Sequence, residues 1–327
     1  MSVTLDESLD QIGDDIDVAA TRTRFNLIVA GRRQSGHTLP KIAPETGVPY
    51  GTLHAWASAK YQGDNTGIAL KVAAWMVKVE AEAHVRATVR AAPGFLRTRT
   101  ATEIFDILEY AQMSPDMVLY AGAPGVGKTT ALNAYKSAGS QVWLVTAEPA
   151  IKSLGALLDM LAEALGAHFG NGAAAMSRNI RKRLTGTHGL LIVDEVQHLS
   201  PTLRDQLRST VFDASGVGVA LVGNEELNNQ FARERATGQH AQLISRIGER
   251  GNRPRPFRTD VELVLDGWGV RGAEAREIAL GIAMQPGALR EMNKTLRRAF
   301  SLSDVRGEDE PAAEDIRAAH KRRGGNA

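Results

Sequence analysis

The amino-acid sequence predicts an α/β fold with a parallel β-sheet and a C-terminal helical lid, preceded by an all-α domain. Between about residues 101 and 258, short apolar runs alternate with stretches of helical periodicity, as expected for a parallel sheet covered by helices on both faces. Residues 22–85 and the chain after Arg258 show helical periodicity alone. No apolar run approaches the ~18 residues that a membrane-spanning helix needs, so no membrane partner is expected.

Composition narrows the classes of chemistry that are open to this chain. Its 327 residues are enough for two domains, and it contains no cysteine. Disulfides, thiolate zinc sites and cysteine nucleophiles are therefore excluded, which fits a cytoplasmic location. The net charge is only +2, but residues 22–78 carry eight Lys and Arg against two acidic residues. Such local basicity indicates a polyanionic partner.

The first 20 residues are predicted to form a loose acidic arm, unlike a signal peptide. Residues 21–90 are predicted to form a helix-turn-helix domain that binds DNA. A small residue, Ala43, stands where two helices would cross, and Gly47 stands at the turn. Apolar residues occupy the packing positions Ile42, Val48, Leu53 and Trp56.

The second helix of this domain would present polar side chains to a major groove of DNA. These candidates are Tyr50, Thr52, His54, Ser58 and Lys60. Pro44 departs from the pattern, because a proline inside a helix costs about 3 kcal/mol, so the first helix is expected to be shortened or kinked. A helical hairpin that contacts another protein is the alternative interpretation.

The sheet is predicted from four apolar runs, and helices are predicted between them. The strands are expected at 117–121, 141–147, 189–194 and 217–223. Helices are expected at 126–138, 152–166, 173–184, 201–213, 259–268, 272–284, 287–300 and 311–322.

Residues 122–129 read Gly-Ala-Pro-Gly-Val-Gly-Lys-Thr and match the phosphate-binding loop G-x-x-x-x-G-K-[ST] throughout. The motif follows an apolar run and precedes helix-forming residues, which is the context that such a loop requires. Backbone N–H groups would wrap the phosphates of ATP, Lys128 would reach the β and γ phosphates, and the Thr129 hydroxyl would bind Mg²⁺. The predicted nucleotide-binding residues here are Gly122, Ala123, Pro124, Gly125, Val126, Gly127, Lys128, Thr129 and Thr130.

Two carboxylates, Asp194 and Glu195, follow the apolar run 190–193, about 65 residues after the loop. In a parallel sheet, the carboxyl ends of the strands are where ligands bind. Asp194 is predicted to hold the Mg²⁺ shell of the nucleotide through water, and Glu195 to polarise the water that attacks the γ-phosphate. A solvated acidic turn is the alternative.

Asn224 follows the next predicted strand and is assigned a role at the γ-phosphate or the attacking water. Because asparagine is a favoured N-cap, Asn224 could instead cap the helix that begins at Glu225.

Two arginine positions complete the predicted site. Arg246 ends a helical run in a basic segment, which suits an arginine finger acting on ATP of a neighbouring subunit. Arg250 is the rival, and a solvated basic loop is the alternative for the segment. Arg290 opens a helix in Gly-Ala-Leu-Arg and could reach the phosphates from a helical lid; a surface salt bridge is its alternative.

Taken in order, these elements resemble the AAA+ ATPases over roughly residues 100–322. The resemblance implies a P-loop NTPase core at 91–258, a helical lid domain at 259–327, ATP hydrolysis, and assembly into rings or spirals.

Two shorter runs resemble a narrower group. Residues 194–199 read Asp-Glu-Val-Gln-His-Leu, similar to the D-E-x-Q-H-L run of transposition ATPases, with Val196 where alanine is common. Residues 53–65 resemble the end of the helix-turn-helix in the Mu B family of phage target-selection ATPases. That resemblance implies a homo-oligomeric filament on double-stranded DNA, largely independent of sequence. The filament would recruit a DNA transposase and dissolve when ATP is hydrolysed.

DNA contacts are then expected from the ATPase core as well. The candidates are Lys152 in the loop after the second strand, and Arg178, Arg181, Lys182 and Arg183 on one helix. Two other functions stay open at this point: an ATP-controlled helix-turn-helix transcription regulator, and an AAA+ helicase or replication loader.

Overall fold

The computed structural model describes residues 16–33, 36–88, 90–168, 170–237 and 241–325. Contacts divide the chain into two compact units, Met1–Arg90 and Ala91–Ala327, and each is described by itself. Most of the predicted acidic arm, residues 1–15, lies outside the described residues. Within the described part of the chain, no helix is both long enough and apolar enough to cross a membrane.

The first unit is helical, as predicted. Its helices are α1 (Val18–Arg33), α2 (Leu39–Thr46), α3 (Tyr50–Ala57) and α4 (Asn65–Thr88). They enclose a core built around Phe25, Ile42, Ala43, Val48, Leu53, Trp56, Val72 and Trp75. The helix α2 runs through Pro44 but is only 8 residues long, and Gly47 ends it at φ 67°, a left-handed conformation that suits glycine.

The second unit contains a parallel sheet with strand order β2-β3-β4-β1-β5. The strands are β1 (Met117–Gly122), β2 (Val142–Thr146), β3 (Leu190–Asp194), β4 (Gly218–Gly223) and β5 (Ile247–Arg253). Every residue of β1, β3 and β4 is buried, which explains why these strands read as continuous apolar runs. The four predicted strands are confirmed to within two residues at each end.

Strand β5 was not predicted, because its residues lie in the basic segment that was interpreted as carrying the arginine finger, with a solvated loop as the alternative. It pairs with β1 in parallel, with a register shift between Met117 and Val118. Its sequence Ile-Gly-Glu-Arg-Gly-Asn-Arg lacks the apolar run of the other strands because it lies at the sheet edge, where charged side chains remain in water. Only glycine fits at position 251, because the Tyr120 ring packs where the Cβ of another residue would lie.

Helices precede the strands of the sheet or lie between them in the chain. They are α5 (Arg99–Met113), α6 (Lys128–Ala138), α7 (Leu154–Leu165), α8 (Ala173–Leu184), α9 (Pro201–Leu207), α10 (Glu225–Thr237) and α11 (Ala241–Ser245). Helix α9 is extended by a π-helical stretch, Arg208–Phe212, and a last turn, Asp213–Ser215. Helix α5 was not predicted, although Thr98 caps it by accepting a hydrogen bond from the Ala101 N–H at 3.0 Å.

The C-terminal helices were all predicted and form their own core. They are α12 (Arg258–Trp268), α13 (Ala273–Ala283), α14 (Ala288–Arg306) and α15 (Ala313–Arg322). Trp268 stacks on Phe300 with ring centroids 5.4 Å apart at the centre of this core.

A buried carboxylate, Asp260 of α12, joins the C-terminal helices to the start of α5. It is 1% exposed. Its Oδ1 accepts a hydrogen bond from the Arg99 N–H at 2.7 Å, and its Oδ2 accepts one from the Thr100 hydroxyl at 2.5 Å. The same Oδ2 accepts from the Phe257 N–H at 3.4 Å. One side chain thus satisfies the first amides of two helices and fixes the segment before α5.

We expect Asp260→Ala to lower the free energy of unfolding by about 3 kcal/mol, because it leaves buried backbone donors without an acceptor. Urea denaturation measures this change. The control is Asp266→Ala on the same helix, where an exposed ion pair with Arg276 is lost and less than about 1 kcal/mol is expected. Equal losses for the two variants would show that Asp260 does not clamp these helices.

Candidate nucleotide-binding site

The predicted phosphate-binding loop connects β1 to α6, as the sequence indicated. Gly125 and Gly127 lie at φ +87° and +103°, a left-handed region that side chains disfavour. Helix α6 begins at Lys128, so its free amides face the end of the loop. The backbone therefore has the conformation that an anion cradle requires.

The start of α14 packs directly on this loop. A Cβ atom added at Gly125 would collide with the carbonyl oxygen of Gly287 and would lie 3.1 Å from the Cβ of Arg290. The C-terminal helices therefore approach the loop closely enough that only glycine fits at position 125. This contact brings Arg290 to the site.

Lys128 is 7% exposed and folds back over its own loop. Its Nζ donates hydrogen bonds to the carbonyl oxygens of Gly122 at 2.7 Å and Ala123 at 3.1 Å. Burial lowers the pKa of Lys128, and the nearby Asp194 carboxylate partly offsets this effect. The ammonium is thus held in a poorly solvated position, where an arriving phosphate would stabilise it.

Thr129 and Asp194 lie in contact beside Lys128. The Thr129 hydroxyl donates to Asp194 Oδ2 at 2.9 Å. Asp194 is 1% exposed, and burial raises its pKa, while the hydrogen bond from Thr129 lowers it. A hydroxyl and a carboxylate that meet next to a phosphate loop are the oxygen ligands that Mg²⁺ prefers, so these two residues fit a bound Mg²⁺.

Glu195 takes an unusual backbone conformation directly after β3. Its φ is 55°, in the left-handed region that non-glycine residues adopt at a cost. Its N–H donates to Asp194 Oδ1 at 2.9 Å, and its carboxylate accepts a hydrogen bond from the Gln197 side chain. The sequence did not single out Gln197 as a partner of Glu195.

Asn224 combines the two roles that the sequence left open. Its Oδ1 accepts a hydrogen bond from the Glu226 N–H at 3.0 Å and so caps α10. Asn224 also lines the cavity described next, and because its oxygen is used by the cap, its NH₂ group is the part available to a ligand.

A cavity of about 470 Å³ joins these elements, a size that suits a nucleotide. Residues 124–130, Glu195, Asn224 and Arg290 line it. At its other walls are apolar side chains that suit a base, among them Phe95, Leu96, Val264 and Leu289. Lys294 and Arg297 of α14 add two more cations that the sequence analysis missed.

Neither candidate for the arginine finger lines this cavity. Arg246 directly follows α11, its side chain is 52% exposed, and its Nε donates to Asp213 Oδ1 at 3.1 Å. Arg250 lies on β5, 5.9 Å from the centre of the Phe231 ring. The other basic residue at the end of β5, Arg253, is paired with Glu103 at 2.6 Å.

The predicted DNA contacts occupy three surfaces. In the first unit Tyr50, His54, Ser58 and Lys60 are exposed and Thr52 is half-buried. In the second unit Lys152 is exposed in the loop before α7, and Arg178, Arg181 and Lys182 are exposed on α8. Arg183 is also exposed, but its Nε donates to the Leu165 carbonyl at 3.0 Å and its guanidinium lies 5.3 Å from the Trp143 ring centre. Part of the predicted charge cluster therefore serves packing between α7 and α8.

The fold and the site together define the second unit as an AAA+ P-loop ATPase. Residues 112–231 match the family model described as an AAA domain. The Aeropyrum pernix ORC2 protein, solved in ADPNP–ADP complexes, superposes with a TM-score of 0.54 at 17% identity over 71% of this chain and 69% of that one. Drosophila ORC bound to DNA gives 0.51 at 17% identity over 72% and 63%. These likenesses concern the fold alone.

Within that class, the chain belongs to the Mu B transposition protein family. Residues 245–322 match the family model for the C-terminal part of the Mu B transposition protein. The chain is 32% identical over 272 residues to ATP-dependent target DNA activator B of Escherichia phage Mu, covering 83% of this chain and 86% of that protein. It is 33% identical to the Mu-like prophage FluMu DNA transposition protein B of Haemophilus influenzae, over 84% and 95%.

Proposed function

We propose that this protein binds DNA under the control of ATP, selects or delivers target DNA, and activates a DNA transposase. One observation carries the proposal: a cavity lined by the phosphate-binding loop lies in a chain that aligns over 83% of its length with a protein named ATP-dependent target DNA activator B. Work on chromosomal or phage DNA would place the protein in the cytoplasm of a bacterial host.

Each residue at the nucleotide site has its own role in binding or hydrolysing ATP. The loop amides and Lys128 bind the phosphates, and Arg290 adds positive charge from α14. Glu195 accepts a proton from the attacking water, and the NH₂ group of Asn224 orients that water or the γ-phosphate. Thr129 and Asp194 would hold Mg²⁺, which neutralises charge that develops on the phosphates.

The location of Arg246 supports assembly of identical subunits. Its side chain is half exposed, lies outside the cavity of its own subunit and pairs with Asp213 through Nε, so the end of the guanidinium is accessible to a neighbour. A nucleotide held between the cavity of one copy and Arg246 of the next would join them, and loss of the γ-phosphate would weaken the joint. We infer that copies assemble as a filament or ring on DNA and that hydrolysis dissolves the assembly.

The DNA surfaces fit binding that depends little on sequence. Exposed lysine and arginine side chains contact phosphates, and phosphate contacts carry no base information. Binding through Lys152 and the α8 cations should therefore weaken steeply as salt is raised.

Electron microscopy of the purified protein with random-sequence duplex and a non-hydrolysable ATP analogue tests the proposal. We expect filaments or rings on DNA with the analogue and none with ADP. A single footprint on one operator would instead support a transcription regulator. Stimulated unwinding or delivery of a helicase would support a loader. A monomer that ignores DNA with and without the analogue contradicts the proposal.

The Arg246→Ala variant is expected to bind ATP with parental affinity and to lose ATPase turnover by at least about tenfold, because the finger acts only on the developing charge of the transition state. Mixing tests whether the finger comes from a neighbour. Arg246→Ala subunits retain an intact cavity and Lys128→Ala subunits retain an intact finger, so the mixture should hydrolyse ATP faster than either variant alone.

Two further variants make this test specific. Arg255→Ala removes an exposed cation from the same basic segment and should leave turnover unchanged. Parental turnover in Arg246→Ala together with a loss in Arg250→Ala would assign the finger to Arg250. Absence of recovery in the mixture would show that the arginine acts within its own subunit.

A further inference from the structure

Gln197 connects the ends of two strands at the nucleotide site. It lies in the short 3₁₀ turn Val196–His198 that follows Glu195. Its Nε2 donates a hydrogen bond to Glu195 Oε2, and its Oε1 accepts one from the Asn224 N–H at 3.3 Å. One side chain thus joins the residue after β3 to the residue after β4.

The chemistry of its partners fixes the orientation of the Gln197 amide. A carboxylate only accepts hydrogen bonds and a backbone N–H only donates them, so the NH₂ group must face Glu195 and the oxygen must face Asn224. Rotating the amide by 180° would break both contacts at once. The side chain therefore has one favourable position, and in that position it presents a donor to the Glu195 carboxylate.

Gly223, the last residue of β4, makes room for this arrangement. A Cβ atom at Gly223 would press against Gln197 Oε1 and against the Leu227 side chain. The φ of Gly223 is not in the left-handed region, so these two neighbours, and not the backbone conformation, leave no room for a side chain there.

Gln197 and Glu195 also belong to the walls of different cavities. Glu195 lines the nucleotide cavity, whereas Gln197 lines a second cavity of about 460 Å³ together with Lys152, His198 and Arg204. The hydrogen bond between the two side chains is therefore a direct connection between these walls.

We propose that Gln197 is a positioning residue for ATP hydrolysis, which holds the Glu195 carboxylate in place and ties it to the backbone at Asn224. The inference rests on the proposed role of Glu195 as the base. Glu195 is half-buried on a strained backbone with φ 55°, so its side chain has no helix or strand of its own to orient it. Gln197 supplies that orientation and does not touch ATP.

Steady-state ATP hydrolysis and nucleotide affinity test the inference in two variants of the full chain. Gln197→Ala removes both hydrogen bonds. Gln197→Glu keeps the size of the side chain and the acceptor for the Asn224 N–H but removes the donor to Glu195. Both variants should lose about tenfold in kcat, a part of the ~10²–10⁴ that a general base contributes, while the Kd for ATP changes by less than about twofold.

A double-mutant cycle separates positioning from a merely structural role. In a Glu195→Gln background there is no base left to orient, so Gln197→Ala should lower kcat by less than about twofold further. Gln206→Ala, a half-buried glutamine on α9 outside both cavities, is the control and should behave like the parent in either background.

Three results overturn the inference. They are a parental or raised kcat in Gln197→Glu, a loss of turnover in Gln197→Ala that disappears at saturating ATP because only the affinity for ATP has weakened, or the same tenfold loss in the Glu195→Gln background. If Glu195 is not the general base, Glu195→Gln itself would hydrolyse ATP at the parental rate. That result is distinct from the three that overturn the role of Gln197.

Discussion

Lys128→Ala is expected to abolish stabilisation of the protein by ATP, to reduce ATP hydrolysis by at least about 100-fold, and to prevent nucleotide-dependent assembly on DNA. Two charge-assisted hydrogen bonds from one ammonium to phosphate oxygens are worth about 3–6 kcal/mol together, and each 1.4 kcal/mol is a factor of ten. No other residue of the loop carries a positive charge. The loss of affinity should therefore be large.

The buried position of Lys128 makes the expected loss specific to ligand binding. Burial lowers the pKa of Lys128, which means that its charged form is disfavoured in the folded protein without a phosphate. Removing the ammonium therefore removes an electrostatic cost together with the two hydrogen bonds to the loop carbonyls. We expect the melting temperature without nucleotide to change little.

Thermal melting with and without ATP measures both effects. The parent should gain about 2.7 kcal/mol of stability at an ATP concentration of 100 Kd, and Lys128→Ala should gain none at that concentration. Lys136→Ala is the matched control, since Lys136 is an exposed lysine in the last turn of the same helix. Normal assembly of Lys128→Ala on DNA with ATP would contradict the central role of this cavity.

The parts of the site that the sequence predicted are those whose chemistry is local. Strands β1, β3 and β4 are buried on both faces, so their apolar runs stand out from the rest of the chain. The phosphate loop needs glycine, lysine and threonine at fixed spacing within 8 residues. Asp194 was found for a related reason, since it directly follows a buried run.

The parts that were missed depend on partners far away in the chain. Strand β5 has no apolar pattern and exists because β1 offers it an edge. Asp260 holds the start of α5 from about 160 residues away in the sequence. The pairing of Gln197 with Asn224 spans 27 residues, and only the meeting of β3 and β4 brings them together. Periodicity within a short window carries no information on such contacts.

Glu195→Gln is expected to bind ATP with parental affinity and to lose between about 10² and 10⁴ in kcat, because the amide cannot accept the proton of the attacking water. The substitution is nearly isosteric, and its oxygen can still accept the hydrogen bond from Gln197, so the geometry should be retained. If hydrolysis dissolves the assembly on DNA, this variant should form long-lived complexes. Electron microscopy and the rate of release from labelled duplex after ATP is removed measure their lifetime.

The lifetime and the hydrolysis rate must change together for this interpretation to hold. Glu163→Gln, which neutralises an exposed carboxylate on α7, is the control and should match the parent in both. Parental hydrolysis in Glu195→Gln would assign the base to another residue. Slow hydrolysis with parental release from DNA would separate the two events, and would show that loss of the γ-phosphate is not what loosens the joint between subunits.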